Sequence, residues 1–139
     1  VDGYSPSIGR PICLGKLTPQ QRRLLEFGRD MHYKTYDMMQ TGVIAGEVAR
    51  KYEQLVEDAG MKRYYLYGPC HGLGMIEVEK PWLETCSDYT LKPNMTFQAD
   101  TFFAAGDFGL RWENGLLVAE SGKAQMLSGA RMDLIEIDR

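Results

Sequence analysis

Histidine is scarce in this 139-residue chain: there are two, His32 and His71, so any chemistry that needs an imidazole must run through one of them. Cysteine is scarce as well. Cys13, Cys70 and Cys86 form an odd number with no C-x-x-C pair, which argues against a disulfide framework and for reduced thiols in the cytoplasm. No apolar run approaches the ~20 residues of a bilayer span, and the first residues lack a charged-then-apolar leader pattern, so no membrane partner is expected. Positive charge is not concentrated either. Lys and Arg number 16 against 19 Asp and Glu, for a net charge of −3. Arg22-Arg23 and Lys62-Arg63 are isolated pairs rather than the basic face a nucleic acid would need. Internal repeats and low-complexity linkers are missing, and the length suits one core.

What is present has a readable order. Pro11 to Gly15 reads as a short strand closed by glycine. Thr18-Pro19-Gln20-Gln21 marks a helix start, because Thr caps, Pro suits the first helical position and Gln21 can complete a capping box. Leu24, Phe27, Met31 and Met38 follow at helical spacing, which predicts a helix to about Gln40 with His32 partly exposed on it. A second helix is predicted from about Ala45 to Ala59, stopped by Gly60. The period then becomes extended. Strands are predicted at Lys62–Tyr67, Met75–Glu79, Met95–Phe103, Gly109–Glu113 and Leu116–Glu120. Asn114-Gly115 is expected to be the hairpin turn between the last two, and Gly106-Asp107 another turn. Met126-Leu127 and Leu134–Ile137 could complete the sheet. Two helices followed by mostly antiparallel strands make an α+β domain with the helices packed on one sheet face.

Strand alternation gives the site reading. Thr96, Gln98 and Asp100 share one face of their strand, and Arg111 and Glu113 share one face of theirs. His71 lies in Pro69-Cys70-His71-Gly72-Leu73-Gly74-Met75, where small neighbours let a backbone or a bound group approach the imidazole. One reading is a solvated polar face on which Arg111 neutralises a carboxylate. The other is a hollow where His71, Asp100 and Glu113 converge, suited to a hard or borderline divalent ion or to metal-free acid/base work. Cys70 neighbours His71 in sequence, yet adjacent side chains on an extended segment point to opposite faces, so a Cys/His nucleophile is not expected.

The order of motifs resembles the C-terminal part of the pita-bread catalytic domain of peptidase family M24, the creatinase / Xaa-Pro aminopeptidase / methionine aminopeptidase superfamily. Gly3-Tyr4-Ser5-Pro6-Ser7-Ile8-Gly9-Arg10 looks like the family's Gly-Tyr-x-x-Asp-x-Thr-Arg strand. Leu14-Gly15-Lys16-Leu17-Thr18-Pro19-Gln20-Gln21 resembles its Gly-x-x-(Ser/Thr)-Pro-Glu-Gln helix entry. Pro69-Cys70-His71-Gly72-Leu73-Gly74 is similar to Thr-Gly-His-Gly-Ile-Gly, and Leu91-Lys92-Pro93-Asn94-Met95-Thr96-Phe97 to Leu-x-Pro-Gly-Met-x-Phe. Gly109-Leu110-Arg111-Trp112-Glu113-Asn114 followed by Leu117-Val118-Ala119-Glu120-Ser121-Gly122 resembles Gly-Val-Arg-Ile-Glu-Asp … Leu-Val-Thr-Glu-Asp-Gly.

The resemblance implies a hydrolase acting on a peptide or small-molecule substrate, with His71 and Glu113 catalytic, Tyr67 and Trp82 beside the substrate, and metal ligands drawn from His71, Asp100 and Glu113. It also implies gaps. A typical member holds two ions with two Asp, one His and two Glu. Here Asp100 stands for one Glu, Ser7 stands for one Asp, and the strand of the other Asp would precede Val1. Val78 and Tyr67 occupy positions where the family has His, although Glu79 follows as in the family. Two closely spaced divalent cations need several carboxylates to offset and bridge them. The expectation is therefore no cofactor, or at most one weakly held Mn, Zn, Co or Fe ion. Residues 1–139 are expected to be part of a pita-bread domain, either a fragment of a longer chain or a homodimer. Two activities stay open: a metal-free or single-metal hydrolase, and a catalytically silent peptide- or protein-binding module.

Overall fold

Thr18 begins the first helix as its chemistry requires. Its hydroxyl accepts from the Gln21 N–H, the Gln21 side chain answers by accepting from the Thr18 N–H, and Pro19 occupies the first helical turn. In the computed structural model, which describes residues 2–138, α1 spans Pro19–Met38 and α2 spans Ala45–Asp58. Gly60, with φ +68°, stops α2 where the sequence predicts.

The strands are β1 (Ile12–Leu14), β2 (Tyr65–Tyr67), β3 (Cys70–Gly72), β4 (Glu79–Trp82), β5 (Thr96–Ala105), β6 (Phe108–Leu117), β7 (Gln125–Met126) and β8 (Ile135–Ile137). The main sheet is antiparallel, with order β4-β3-β5-β6-β7 and β2 also paired to β5. β1 and β8 form a separate parallel pair. Gly9 adds a bridge to Glu113, which lays the N-terminal segment along β6.

Several sequence expectations are corrected. Asn114-Gly115 is not a turn: β6 runs straight through it, because ten consecutive residues pair with β5 from Thr96↔Leu117 to Ala105↔Phe108. The hairpin reverses at Gly106-Asp107 alone, as expected there, with Gly106 at φ +64°. Lys62–Tyr64 is a turn of 3₁₀ helix, so the strand begins at Tyr65. The 75–78 stretch bends rather than extends, so the strand predicted at Met75–Glu79 instead begins at Glu79 and runs to Trp82. The cause is the Glu79 carboxylate, which accepts from the Ile76 N–H and lies against Gly74. His71 sits within β3. His32 is fully buried rather than partly exposed.

One face of the sheet carries the helices. Phe97, Ala99 and Phe103 from β5 and Leu110, Trp112 and Leu116 from β6 alternate onto it. They meet Leu24, Leu25 and Met31 of α1, and Val48, Ala49, Tyr52 and Val56 of α2. Trp112 also donates its indole N–H to the Leu25 carbonyl at 3.1 Å. Gly28 of α1 is a contact point, since a Cβ there would lie 2.6 Å from Leu110 Cδ1. The helices fill one side of the sheet, and the polar side chains His71, Gln98, Asp100 and Glu113 stand on the other.

Candidate active site

The side of the sheet away from the helices holds the polar residues. His71 of β3 pairs with Gln98 of β5, and Asp100 of β5 pairs with Glu113 of β6. Directly opposed residues point to the same face, so three strands deliver an imidazole, an amide and two carboxylates to one hollow. All four are buried. One ligand-capable atom from each of His71, Asp100 and Glu113 lies within 4.8 Å of the others. The convergence expected from alternation is therefore present. Cys70 turns the other way, into the core with Leu83 and Ala99, and burial pushes its thiol far above its ordinary value.

The solvated-face reading and the hollow reading each hold in part. Opposed carboxylates repel, and Arg111, two residues before Glu113 on the same face, answers that repulsion. Its Nε donates to Asp100 Oδ1 at 2.9 Å and its Nη2 to Oδ2 at 2.6 Å, a fork-to-fork pair. A weaker contact of 3.3 Å reaches Glu113 Oε1. The hydrogen bonds that Arg111 donates to Asp100 hold the guanidinium firmly protonated. Glu113 is less well served. Burial raises its pKa, the Ser7 hydroxyl beside it pulls the other way, the Asp100 charge raises it further and Arg111 lowers it again. Glu77 at the rim adds a small upward push.

His71 is oriented for work at one nitrogen. Its Nδ1 lies 3.0 Å from the Gly72 carbonyl, which can only accept, so Nδ1 carries the hydrogen. Nε2 is then left as a lone-pair acceptor, and it is buried with no hydrogen-bond partner. A buried imidazole nitrogen without a partner is costly, and ligating histidines are fixed by this same second hydrogen bond. Tyr67 and Trp82, the residues expected beside the substrate, flank the ring with centroids 6.4 and 6.3 Å away. Both keep 38% of their surface exposed, and both also line a cavity with Cys70 and Leu83. Val78 and Glu79 lie outside the cluster.

The N-terminal segment closes the floor. Gln98 donates to the Ser7 carbonyl at 2.9 Å and accepts from the Ser7 N–H at 3.4 Å. That clamp places Ser7 Oγ in the interior beside Glu113, with no hydrogen bond of normal geometry. Gly9 exchanges both backbone hydrogen bonds with Glu113, and a Cβ there would come within 2.9 Å of Glu113 Cβ and 3.2 Å of Oε2. Arg10 then reaches the Glu113 carbonyl at 2.9 Å and Asn114 Oδ1 at 2.6 Å. Sequence patterning put Gln98 on the right face without giving it a role. Arg10 appeared there only as the last residue of a family motif, because the partners that place it are more than 100 residues away.

The residues present include a group that could hold a metal ion. His71, Asp100 and Glu113 supply three donors at compatible separation, and the orphaned Nε2 of His71 marks the open position. One of the two buried carboxylates, Asp100, is already gripped by Arg111.

Comparison with known proteins agrees with this architecture. The probable dipeptidase PepE of Mycobacterium tuberculosis is 27% identical over 121 residues, covering 86% of this chain and 32% of that protein. The Xaa-Pro dipeptidase of Pyrococcus furiosus is 22% identical over 129 residues, covering 92% of this chain and 37% of its own length. Among solved structures, a dipeptidase from Pyrococcus horikoshii superposes with a TM-score of 0.88 at 28% identity, covering 97% of this chain and 38% of that one. PepE from Mycobacterium ulcerans superposes at 0.90 with 22% identity, covering 99% and 37%. The chain spans about a third of the length of the curated relatives it matches. It has the fold of the second half of a pita-bread domain. The model of metallopeptidase family M24 matches residues 1–120, and the chain belongs to that family.

Proposed function

We propose that this chain contributes the His71 half-site of an M24-type hydrolase domain acting on a peptide or a small amino-acid-like substrate, and that the site works metal-free or with a single divalent ion. The observation that carries this is the buried, unpartnered Nε2 of His71 aimed into a hollow with two carboxylates. In the metal-free form, His71 Nε2 takes and returns the proton, as a general base and acid. Glu113 holds the reacting group beside it, and Arg111 holds Asp100 in place. Tyr67 and Trp82 form the substrate wall. An ion held by His71, Asp100 and Glu113 would supply Lewis-acid polarisation of the scissile carbonyl. The remainder of a complete pita-bread domain would come from further polypeptide or from a second copy. Three unpaired thiols support a reducing, cytoplasmic setting.

A catalytically silent binding module has its own support. Both Asp100 oxygens are taken by Arg111, and Met75, Ile76 and Val78 are exposed apolar residues between β3 and β4. One experiment separates the readings: hydrolysis of Xaa-Pro dipeptides by native protein and His71→Ala, with and without chelator, alongside elemental analysis. Turnover that survives chelation and vanishes in His71→Ala supports the metal-free hydrolase. Turnover tracking one equivalent of metal supports the single-ion form. Two equivalents overturn both. No turnover, with peptide binding unchanged in His71→Ala, identifies the binding module.

A further inference from the structure

The two basic pairs of the sequence, Arg22-Arg23 and Lys62-Arg63, divide in the fold. One member of each has an acid of its own: Arg22 bridges to Glu136, and Lys62 Nζ lies 3.1 Å from Glu53. Arg23 and Arg63 have no carboxylate within ion-pair distance among the described residues. They come instead to one cavity of about 370 Å³, lined by the first turn of α1 and by the chain that leaves α2 at Gly60. Gln20 and Tyr64 are its other polar residues, and Leu24, Met61 and Ala105, all buried, give it an apolar part. No Asp or Glu lines it. A cavity of this size suits a small organic molecule.

Two guanidinium groups around one cavity repel each other, and on a chain of net charge −3 they make a local positive site that draws an anion. Arg63 is also held in place. Its guanidinium lies 4.6 Å from the centroid of the Tyr64 ring, and its Nη2 donates to the Tyr64 hydroxyl. The N–H groups not used there keep the planar fork that suits phosphate oxygens. Two such forks carry two positive charges, and a phosphate monoester carries about two negative charges near neutral pH. A carboxylate would balance only one of them. An inorganic anion would leave Leu24, Met61 and Ala105 without a partner, whereas the organic part of an ester would cover them.

We infer that the cavity between Arg23 and Arg63 binds a small phosphate monoester, with the phosphate between the two guanidinium groups and the organic part against Leu24, Met61 and Ala105. The cavity is separate from the hollow that holds His71. Ala105 ends β5 on the helix-covered face, and Asp100 points from the other face of the same strand. The site is therefore additional to the hydrolase reading and does not depend on it.

Calorimetric titration at constant ionic strength tests this with phenyl phosphate, inorganic phosphate and benzoate. Phenyl phosphate should bind saturably at one site, about tenfold or more tighter than benzoate, the loss of one charge-assisted contact. Inorganic phosphate should compete with it while binding more weakly. Arg23→Gln and Arg63→Gln should each weaken phenyl phosphate about tenfold. Both side chains are exposed, so both variants should keep the fold, which a thermal melt without ligand checks. Lys34→Gln removes one positive charge from an exposed position of α1 outside the cavity and should leave the affinity unchanged. Lowering the pH from 7.5 to 5.5 should weaken phenyl phosphate, because its second proton binds near pH 6. Benzoate binding as tightly as phenyl phosphate overturns the assignment. A loss in Lys34→Gln equal to that in the two arginine variants also overturns it, since general charge attraction would then account for the binding. His71→Ala should bind phenyl phosphate as the native protein does, whatever the hydrolysis experiment returns, so the two readings fail separately.

Discussion

Asn114 Nδ2 lies 2.9 Å from His32 Nε2, in the buried layer between β6 and α1. Asn114 is held amide-out by Arg10 and Ser128, which donate to its Oδ1 at 2.6 and 2.7 Å. Its NH₂ must therefore donate to His32 Nε2, and the imidazole hydrogen sits on Nδ1, facing Thr101 Oγ1 at 3.2 Å. A second proton on this ring would collide with the Asn114 donor. Burial, helped by the nearby Arg10 charge, pushes the His32 pKa down to about 3.

That depression makes His32 an acid-lability point. The unfolded chain takes up the proton near pH 6.5, while the folded chain refuses it until about pH 3. The unfolded state binds more protons in this window, so stability is full above about pH 6.5 and falls as the pH is lowered toward 3. The limiting slope is about 1.4 kcal/mol per pH unit. Urea unfolding at pH 7, 6, 5 and 4 should show this loss. A His32→Gln variant, less stable at pH 7, should have a flatter profile over the same range.

Arg111 and Asp100 allow a second prediction, on stability rather than pH. The Asp100 side chain is 1% exposed and that of Arg111 is 45% exposed, so the pair is half in solvent and its own strength is screened. Removing Arg111 still strands a buried carboxylate opposite Glu113. Arg111→Leu should cost on the order of 2 kcal/mol, less than for a fully buried pair. Arg111→Lys should recover only part of that, because an ammonium cannot reproduce the two-pronged contact. Adding Asp100→Asn to Arg111→Leu should restore most of the lost stability. A coupling near zero in the double-mutant cycle would show that the pair is not holding the two strands together.

The sequence showed those features whose causes are local. The capping box at Thr18 and Gln21, the glycine stop at Gly60 and the reversal at Gly106 are each set by a few adjacent residues. Alternation on β5 and β6 was enough to put Asp100, Glu113 and Arg111 on one face. The misreadings have long-range causes. Asn114-Gly115 carries a strong turn preference, but pairing with β5 and the His32, Arg10 and Ser128 contacts hold Asn114 inside a strand. His32 looked like a helix surface residue because its partners, Thr101 and Asn114, lie 69 and 82 residues away. The floor of the hollow was hidden for the same reason: Ser7 and Gln98 meet across 91 residues.

The family's Gly-x-Gly pattern after the histidine has a steric meaning that can be measured. A Cβ at Gly72 would sit 2.6 Å from the Lys80 carbonyl carbon and oxygen and 2.7 Å from the Glu79 oxygen. All three are backbone atoms of β4, so no side chain can swing aside. A methyl group there must push β4 away from β3, and the β3 segment that carries His71 would move with it. At Gly74 a Cβ would meet the Glu79 carboxylate, a group that can rotate away. Gly72→Ala should therefore cost about 2–3 kcal/mol by overpacking and broaden the His71 imidazole resonance. Gly74→Ala should cost less and mainly release the Ile76 N–H from Glu79. Gly129→Ala, with nothing within 4 Å, should be close to neutral. Denaturant midpoints for the three variants test that order. If Gly72→Ala were as stable as Gly129→Ala, β3 and β4 would have to lie farther apart than they do, and the tight seat of His71 would be lost.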